Sequence, residues 1–185
     1  MIVNIRGTSG SGKSTLVKRI MAEYQESQPL RISDRRQPIG YHLWNFQPPI
    51  NLHVVGHYET ACGGCDTISS IDQVYQEVQA AAKHVPVLYE GIMVSGESRR
   101  CIELHRAGFP VTVIALDTDI NTCLDAILER RKARGDTRPL NPDRTIRRLG
   151  EVRRMMEHLK VAGVPTLWLD REAAYQETRR LLRSE

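Results

Sequence analysis

Gly7-Thr8-Ser9-Gly10-Ser11-Gly12-Lys13-Ser14 matches the phosphate-binding pattern G-x-x-x-x-G-K-[ST]. Glycine spacing lets the backbone curl until its amides point inward at phosphate oxygens, and the positive end of the helix dipole starting at Lys13 adds to that pull. Lys13 supplies a point charge for the outer phosphates, and the Ser14 hydroxyl is an oxygen ligand of the kind Mg2+ takes. Gly7, Thr8, Ser9, Gly10, Ser11, Gly12, Lys13, Ser14 and Thr15 are therefore the expected contacts of a nucleoside triphosphate. No N-K-x-D signature for guanine is present, which weakens a GTPase reading.

A site of this type needs a second acid for the metal at the end of a neighbouring buried strand. Val87-Leu88-Tyr89-Glu90-Gly91 offers Glu90, with Gly91 allowing close approach to the phosphates. If the transferred phosphoryl group goes to a hydroxyl, a carboxylate must take its proton. Asp66, beside the glycine-rich turn Cys62-Gly63-Gly64-Cys65, reads equally as that base or as a helix cap. Asp34 and Glu59 are the other acids near predicted loops.

Charge is concentrated in one segment. The chain of 185 residues carries a net charge of +4, yet from Arg130 to Arg154 ten basic residues, nine of them arginine, face three acids. Arginine grips phosphate oxygens in pairs, where lysine offers a single charge. The same run also reads as a solvated helix face.

The elements that must hold these groups follow from periodicity. Ile2 to Arg6 is a short β-branched strand, and Lys13 to Tyr24 carries Leu16, Val17, Ile20 and Met21 at helical spacing, so the glycine-rich loop lies between strand and helix. Val85 to Glu90, Val111 to Leu116 and Thr166 to Leu169 are continuous apolar runs, the mark of strands buried on both faces of a parallel sheet. Leu52 to Gly56 and Leu30 to Ser33 read as two further strands, with an irregular hairpin around Trp44 and Phe46. Helices are expected over 71–84, 97–107, 119–133, 142–161 and 171–183. Alternation of strand and helix implies right-handed crossovers in an α/β fold: a three-layer sandwich with a parallel sheet of about five strands and helices on both faces. The length fits one domain over 1–185.

The composition, 41% hydrophobic and 26% charged, suits a packed core. No apolar run approaches the roughly 18 residues of a membrane span, the first residues lack a signal-peptide pattern, and four cysteines are too few for a disulfide scaffold. A cytoplasmic protein with reduced thiols is expected. His53, His57, Cys62 and Cys65 have the donor types for tetrahedral zinc, but the single C-x-x-C lacks a second close pair, so a substrate-shaping loop is the alternative.

The segment Arg130-Arg131-Lys132-Ala133-Arg134-Gly135-Asp136-Thr137-Arg138-Pro139, lying between the last long helices, resembles the arginine-bearing lid (about 130–142) of the P-loop nucleoside, nucleotide and polynucleotide kinases. That resemblance implies the P-loop NTPase sandwich and contacts from Arg130, Arg134 and Arg138 to the transferred group. Gly7 to Thr15, Gly56 to Ile68 and this lid together resemble bacteriophage P-loop kinases, a group that includes the enzymes phosphorylating 5-hydroxymethyluracil within DNA during thymine hypermodification. The resemblance implies ATP and Mg2+ as cofactors and duplex DNA containing 5-hydroxymethyluracil as partner. It also implies a DNA backbone held by Arg144, Arg147, Arg148, Arg153 and Arg154, with Tyr41, Trp44 and Phe46 available to stack on a base or to fill the core. A small-molecule nucleoside or nucleotide kinase and a noncatalytic nucleotide-binding module are the competing expectations.

Overall fold

Alternation along the first strand decides the layering. β1 (Ile2–Arg6) sends Ile2 into an apolar core with Tyr89, Val111 and Val113, while Val3 and Ile5 enter a second core with Leu88 and Ile114 on the opposite face. Each fully buried side chain of this kind contributes about 1.5–3 kcal/mol. The computed structural model describes residues 1–32, 35–60, 63–68, 70–91 and 97–183.

After β1 come α1 (Lys13–Met21), β2 (Glu26–Leu30), β3 (Gly40–Phe46), β4 (Pro49–Val55), a 3-10 turn (Cys65–Thr67), α2 (Ile71–Ala81), β5 (Val87–Glu90), α3 (Arg99–Arg106), β6 (Val111–Leu116), α4 (Ile120–Ala133), α5 (Pro142–Val161), β7 (Thr166–Leu169) and α6 (Arg171–Arg183). One sheet holds the strands in the order β2-β3-β4-β5-β1-β6-β7. From α2, α3 and α5, side chains such as Val74, Leu104 and Val152 cover one face; Leu16 and Val17 of α1 with Leu181 and Leu182 of α6 cover the other.

The expected parallel strands are β4, β5, β1, β6 and β7. The sheet nevertheless has seven strands, because β2 and β3 add an antiparallel edge. β2 lies at Glu26–Leu30, upstream of the expected Leu30 to Ser33. Its residues are mostly exposed and polar, so pairing with β3 makes the strand rather than any apolar pattern, and Pro29 is tolerated on an outer edge. Trp44 and Phe46 belong to a regular hairpin between β3 and β4.

Strand direction fixes which residues can meet. Because β4 runs parallel to β5 and β5 to β1, Val55, Glu90 and Arg6 end on the same edge of the sheet, the edge from which the glycine-rich loop departs. Phe46 pairs with Pro49 at the other end of the hairpin, on the opposite edge, where it is 63% exposed. Trp44, paired with Asn51, also lies toward that edge, and Tyr41 is buried with its ring 6.2 Å from that of Tyr58. These aromatics are therefore not placed for stacking on a base at the loop; Tyr41 fills the core and the other two belong to the remote end.

Candidate active site

The loop between β1 and α1 is held from outside by its carbonyls. For amides to point inward, the carbonyls of the same peptides must point outward and need donors of their own. Arg171, the first residue of α6, donates from Nε to the Ser11 carbonyl (2.9 Å) and from Nη2 to that of Gly10 (3.3 Å). Thr118 Oγ1 donates to the same Ser11 carbonyl (3.1 Å). Gly10, at φ +81°, lies directly under α4: a Cβ there would stand 2.2 Å from the Cys123 carbonyl oxygen, so no other residue fits. Lys13 Nζ donates to the Thr8 carbonyl at 3.0 Å, which keeps the ammonium folded over the loop.

Ser14 Oγ donates to Glu90 Oε1 at 2.5 Å. Glu90 is only 2% exposed, and burial pushes its carboxyl above the usual carboxylate range, opposed by Lys13 and the Ser14 hydrogen bond and reinforced by Asp66. The glycine-rich turn roofs it: a Cβ on Gly64, at φ +91°, would lie 2.6 Å from Glu90 Oε1. Asp66 sits in the 3-10 turn, exposed, against Gly91, whose added Cβ would lie 3.3 Å from Asp66 Oδ1. Ser70, not Asp66, caps α2, accepting from the Gln73 amide.

A cavity of about 320 Å3 brings these groups together. Ser9, Gly10, Gly12, Lys13, Ser14 and Thr15 line one wall, Asp66 and Glu90 another, and Arg130 of α4 a third. Oxygen donors from Ser14 and Glu90 stand side by side in it with no sulfur or imidazole among the lining residues, a donor set suited to a hard divalent cation. A serine oxygen whose proton is turned to a carboxylate keeps its lone pairs for such an ion.

No family model matches the chain. Curated relatives do. It is 42% identical over 183 residues, 98% of this chain and 96% of the relative, to the 5-hmdU DNA kinase of Pseudomonas phage PaMx11. It is 30% identical over 142 residues, 69% of this chain and 71% of the relative, to the 5-hmdU DNA kinase of Pseudomonas phage M6. The chain belongs to the 5-hmdU DNA kinase family. A further member, from Delftia phage PhiW-14, is 27% identical over 95% of this chain and 70% of its own length. Among solved structures, deoxyadenosine kinase from M. mycoides superposes with a TM-score of 0.50 over all of both chains at 13% identity, a likeness of fold.

In this 5-hmdU DNA kinase family member the segment expected as a lid is a short connection between α4 and α5, and its arginines take different places. Arg130 reaches the cavity; Arg134 lines a neighbouring one; Arg138 is turned away onto Asp136, with Nε and Nη2 each 2.8 Å from the carboxylate. Arg138 is thus not brought to the cavity as expected, because the Asp136 two residues earlier captures it locally. Asp34 lies outside the described residues. Glu59 is engaged by Arg31 at 2.7 Å.

Among the described residues, His53, His57 and Cys65 do not form a metal-holding cluster. His53 Nε2 stands 3.1 Å from Glu77 Oε1, and Glu77 is held below the usual carboxylate range by that contact. Cys65 is buried, its thiol pushed well above its ordinary value by burial and then by Glu90 and Asp66, and it donates to the Val55 carbonyl at 3.5 Å instead of offering a thiolate. Cys62 lies outside the described residues, and among those described no three His, Cys, Asp or Glu side chains cluster as a metal would need.

Sequence reasoning missed Arg171 and Thr118. Arg171 reads only as the start of a helix, and nothing in its neighbourhood signals that it spans 160 positions to a loop carbonyl.

Proposed function

We infer that the chain transfers the γ-phosphoryl group of ATP to the 5-hydroxymethyl group of 5-hydroxymethyluracil in duplex DNA. The observation that carries this reading is the 42% identity, across nearly the whole of both chains, to a 5-hmdU DNA kinase. The cavity that joins Lys13, Ser14, Asp66, Glu90 and Arg130 supports it chemically.

The loop amides and Lys13 receive the triphosphate. Ser14 and Glu90 hold Mg2+, which when bound neutralises phosphate charge. Asp66 accepts the proton of the hydroxymethyl group as its oxygen bonds to the γ-phosphorus and the bond from that phosphorus to the β–γ bridging oxygen breaks, leaving ADP. Arg130 stabilises the charge on the phosphoryl oxygens in flight. The product is 5-phosphomethyl-deoxyuridine in DNA, a phosphate ester activated for displacement. Arginines of the 130–154 segment hold the duplex through its phosphates. The reaction belongs to the cytoplasm of an infected host; among the described residues no helix is long and apolar enough to cross a membrane.

The test is transfer of labelled γ-phosphate from ATP to hydroxymethyluracil duplex, to free 5-hydroxymethyl-deoxyuridine and to its nucleotide. Label in the duplex, lost in Lys13→Ala while the fold survives, supports the reading. Label only in the free nucleoside or nucleotide makes the protein a small-molecule kinase, and label in none of the three, a noncatalytic module.

A further inference from the structure

A second cavity, of about 310 Å3, adjoins the first and shares Ser9 and Arg130 with it. It lies between the end of α4, the lid and the first turns of α5, and Arg131, Arg134, Arg144 and Arg148 line it together with Arg130. No ion pair is formed by Arg130 or Arg144 among the described residues. Asp136, the one acid in the lining, is turned to Arg138. Arg148 Nη1 donates to Ser9 Oγ at 3.3 Å, so this wall touches the donor loop itself. Arg131 is fixed from behind, donating to the Arg138 and Pro139 carbonyls at 3.0 and 3.2 Å, which holds the lid as a shaped wall.

Arg130, Arg144 and Arg148, converging on one cavity, select a phosphate-like anion with several oxygens. The donor triphosphate already has its own receptor in the loop amides and Lys13. The remaining anion is one that the acceptor brings. A nucleotide within a strand carries a phosphodiester on either side; a free nucleoside carries none.

Resting on the reaction inferred above, we propose that this cavity seats a phosphodiester flanking the modified nucleotide of the acceptor strand, so that it selects polynucleotide over nucleoside. Its position fits that role, because it shares Ser9 and Arg130 with the cavity that Asp66 lines. The 130–154 segment then divides into a pocket that fixes one linkage and exposed arginines that hold the rest of the backbone.

Binding of a fluorescent hydroxymethyluracil oligonucleotide by anisotropy, without ATP, tests this. Arg144 is exposed in the first turn of α5, so Arg144→Gln keeps the fold. The variant is expected to bind about tenfold more weakly and to lower the salt slope by about one; Arg106→Gln, on α3, keeps the wild-type affinity. A neutral methylphosphonate at one flanking linkage should weaken wild-type binding by the same factor and cost Arg144→Gln nothing more. Losses that multiply would show that residue and linkage do not meet, and unchanged DNA binding with a raised KM for ATP would give the cavity to the donor; either result overturns the proposal. Wild-type protein that follows the expected binding pattern yet phosphorylates no DNA would uphold the pocket and overturn the inferred reaction.

Discussion

Arg171 Nε lies 2.9 Å from the carbonyl oxygen of Ser11, tying the start of the last helix to the loop that receives phosphate. The bond stabilises a peptide orientation rather than touching nucleotide, so its loss should appear in donor binding. Arg171→Met is expected to raise KM for ATP about tenfold, on the scale of one lost charged hydrogen bond, with a smaller effect on kcat; Arg171→Lys, able to donate to one carbonyl, should recover part of it. Equal loss of kcat and unchanged KM in steady-state kinetics would contradict this assignment.

Asp66 lines the cavity while Ser70 caps α2, so of the two roles open to Asp66 the proposed reaction uses it as base. Asp66→Asn should lower kcat by about 10²- to 10⁴-fold and leave the Kd for ATP as it was. Asp34→Asn, measured alongside, should keep kcat near wild type; a reversed pattern would make Asp34 the base.

Glu90 is a buried acid whose carboxyl is pushed up by burial, so in the absence of metal its ionised form costs stability at neutral pH. Glu90→Gln keeps an acceptor for Ser14 and removes the charge. Its Tm in chelator should rise by about 2–4 °C, the shift that roughly 1 kcal/mol gives in a chain of this size, while activity is lost. Added Mg2+ with ADP should raise the Tm of wild type and not of Glu90→Gln.

His57 is 1% exposed, and its ring nitrogens have no hydrogen-bond partner among the described residues. Burial lowers its pKa; Glu59 opposes that shift, and Arg35, Lys18 and Arg31 add to it. The native state therefore binds fewer protons than the unfolded chain between the lowered pKa and the ordinary value of about 6.5, and stability falls as pH drops through that window. His57→Gln should flatten the fall. Tm measured from pH 5 to 8 checks it, and parallel curves for both proteins would assign the acid loss to other groups.

The donor loop and the five parallel strands were legible in the sequence because both are written locally, as glycine spacing, as the short β-branched run Ile2 to Arg6, and as apolar runs ending at Glu90 and Leu116. Glu90 could be placed for the same reason, since it terminates such a run. β2 was not, because Glu26, Ser27 and Gln28 carry no apolar rhythm and become a strand only by pairing with Trp44, Leu43 and His42. The remoteness of Phe46 depends on strand direction, which single-strand patterns do not encode. Arg138 looked equivalent to Arg130 in a run of basic residues; only the fold shows that Asp136 removes it.

Gly10 and Cys123 meet backbone to backbone, and Cys123 belongs to the helix that carries Arg130. Arg130 and the donor loop are therefore referenced to a single backbone contact, so any change that shifts this helix displaces both together.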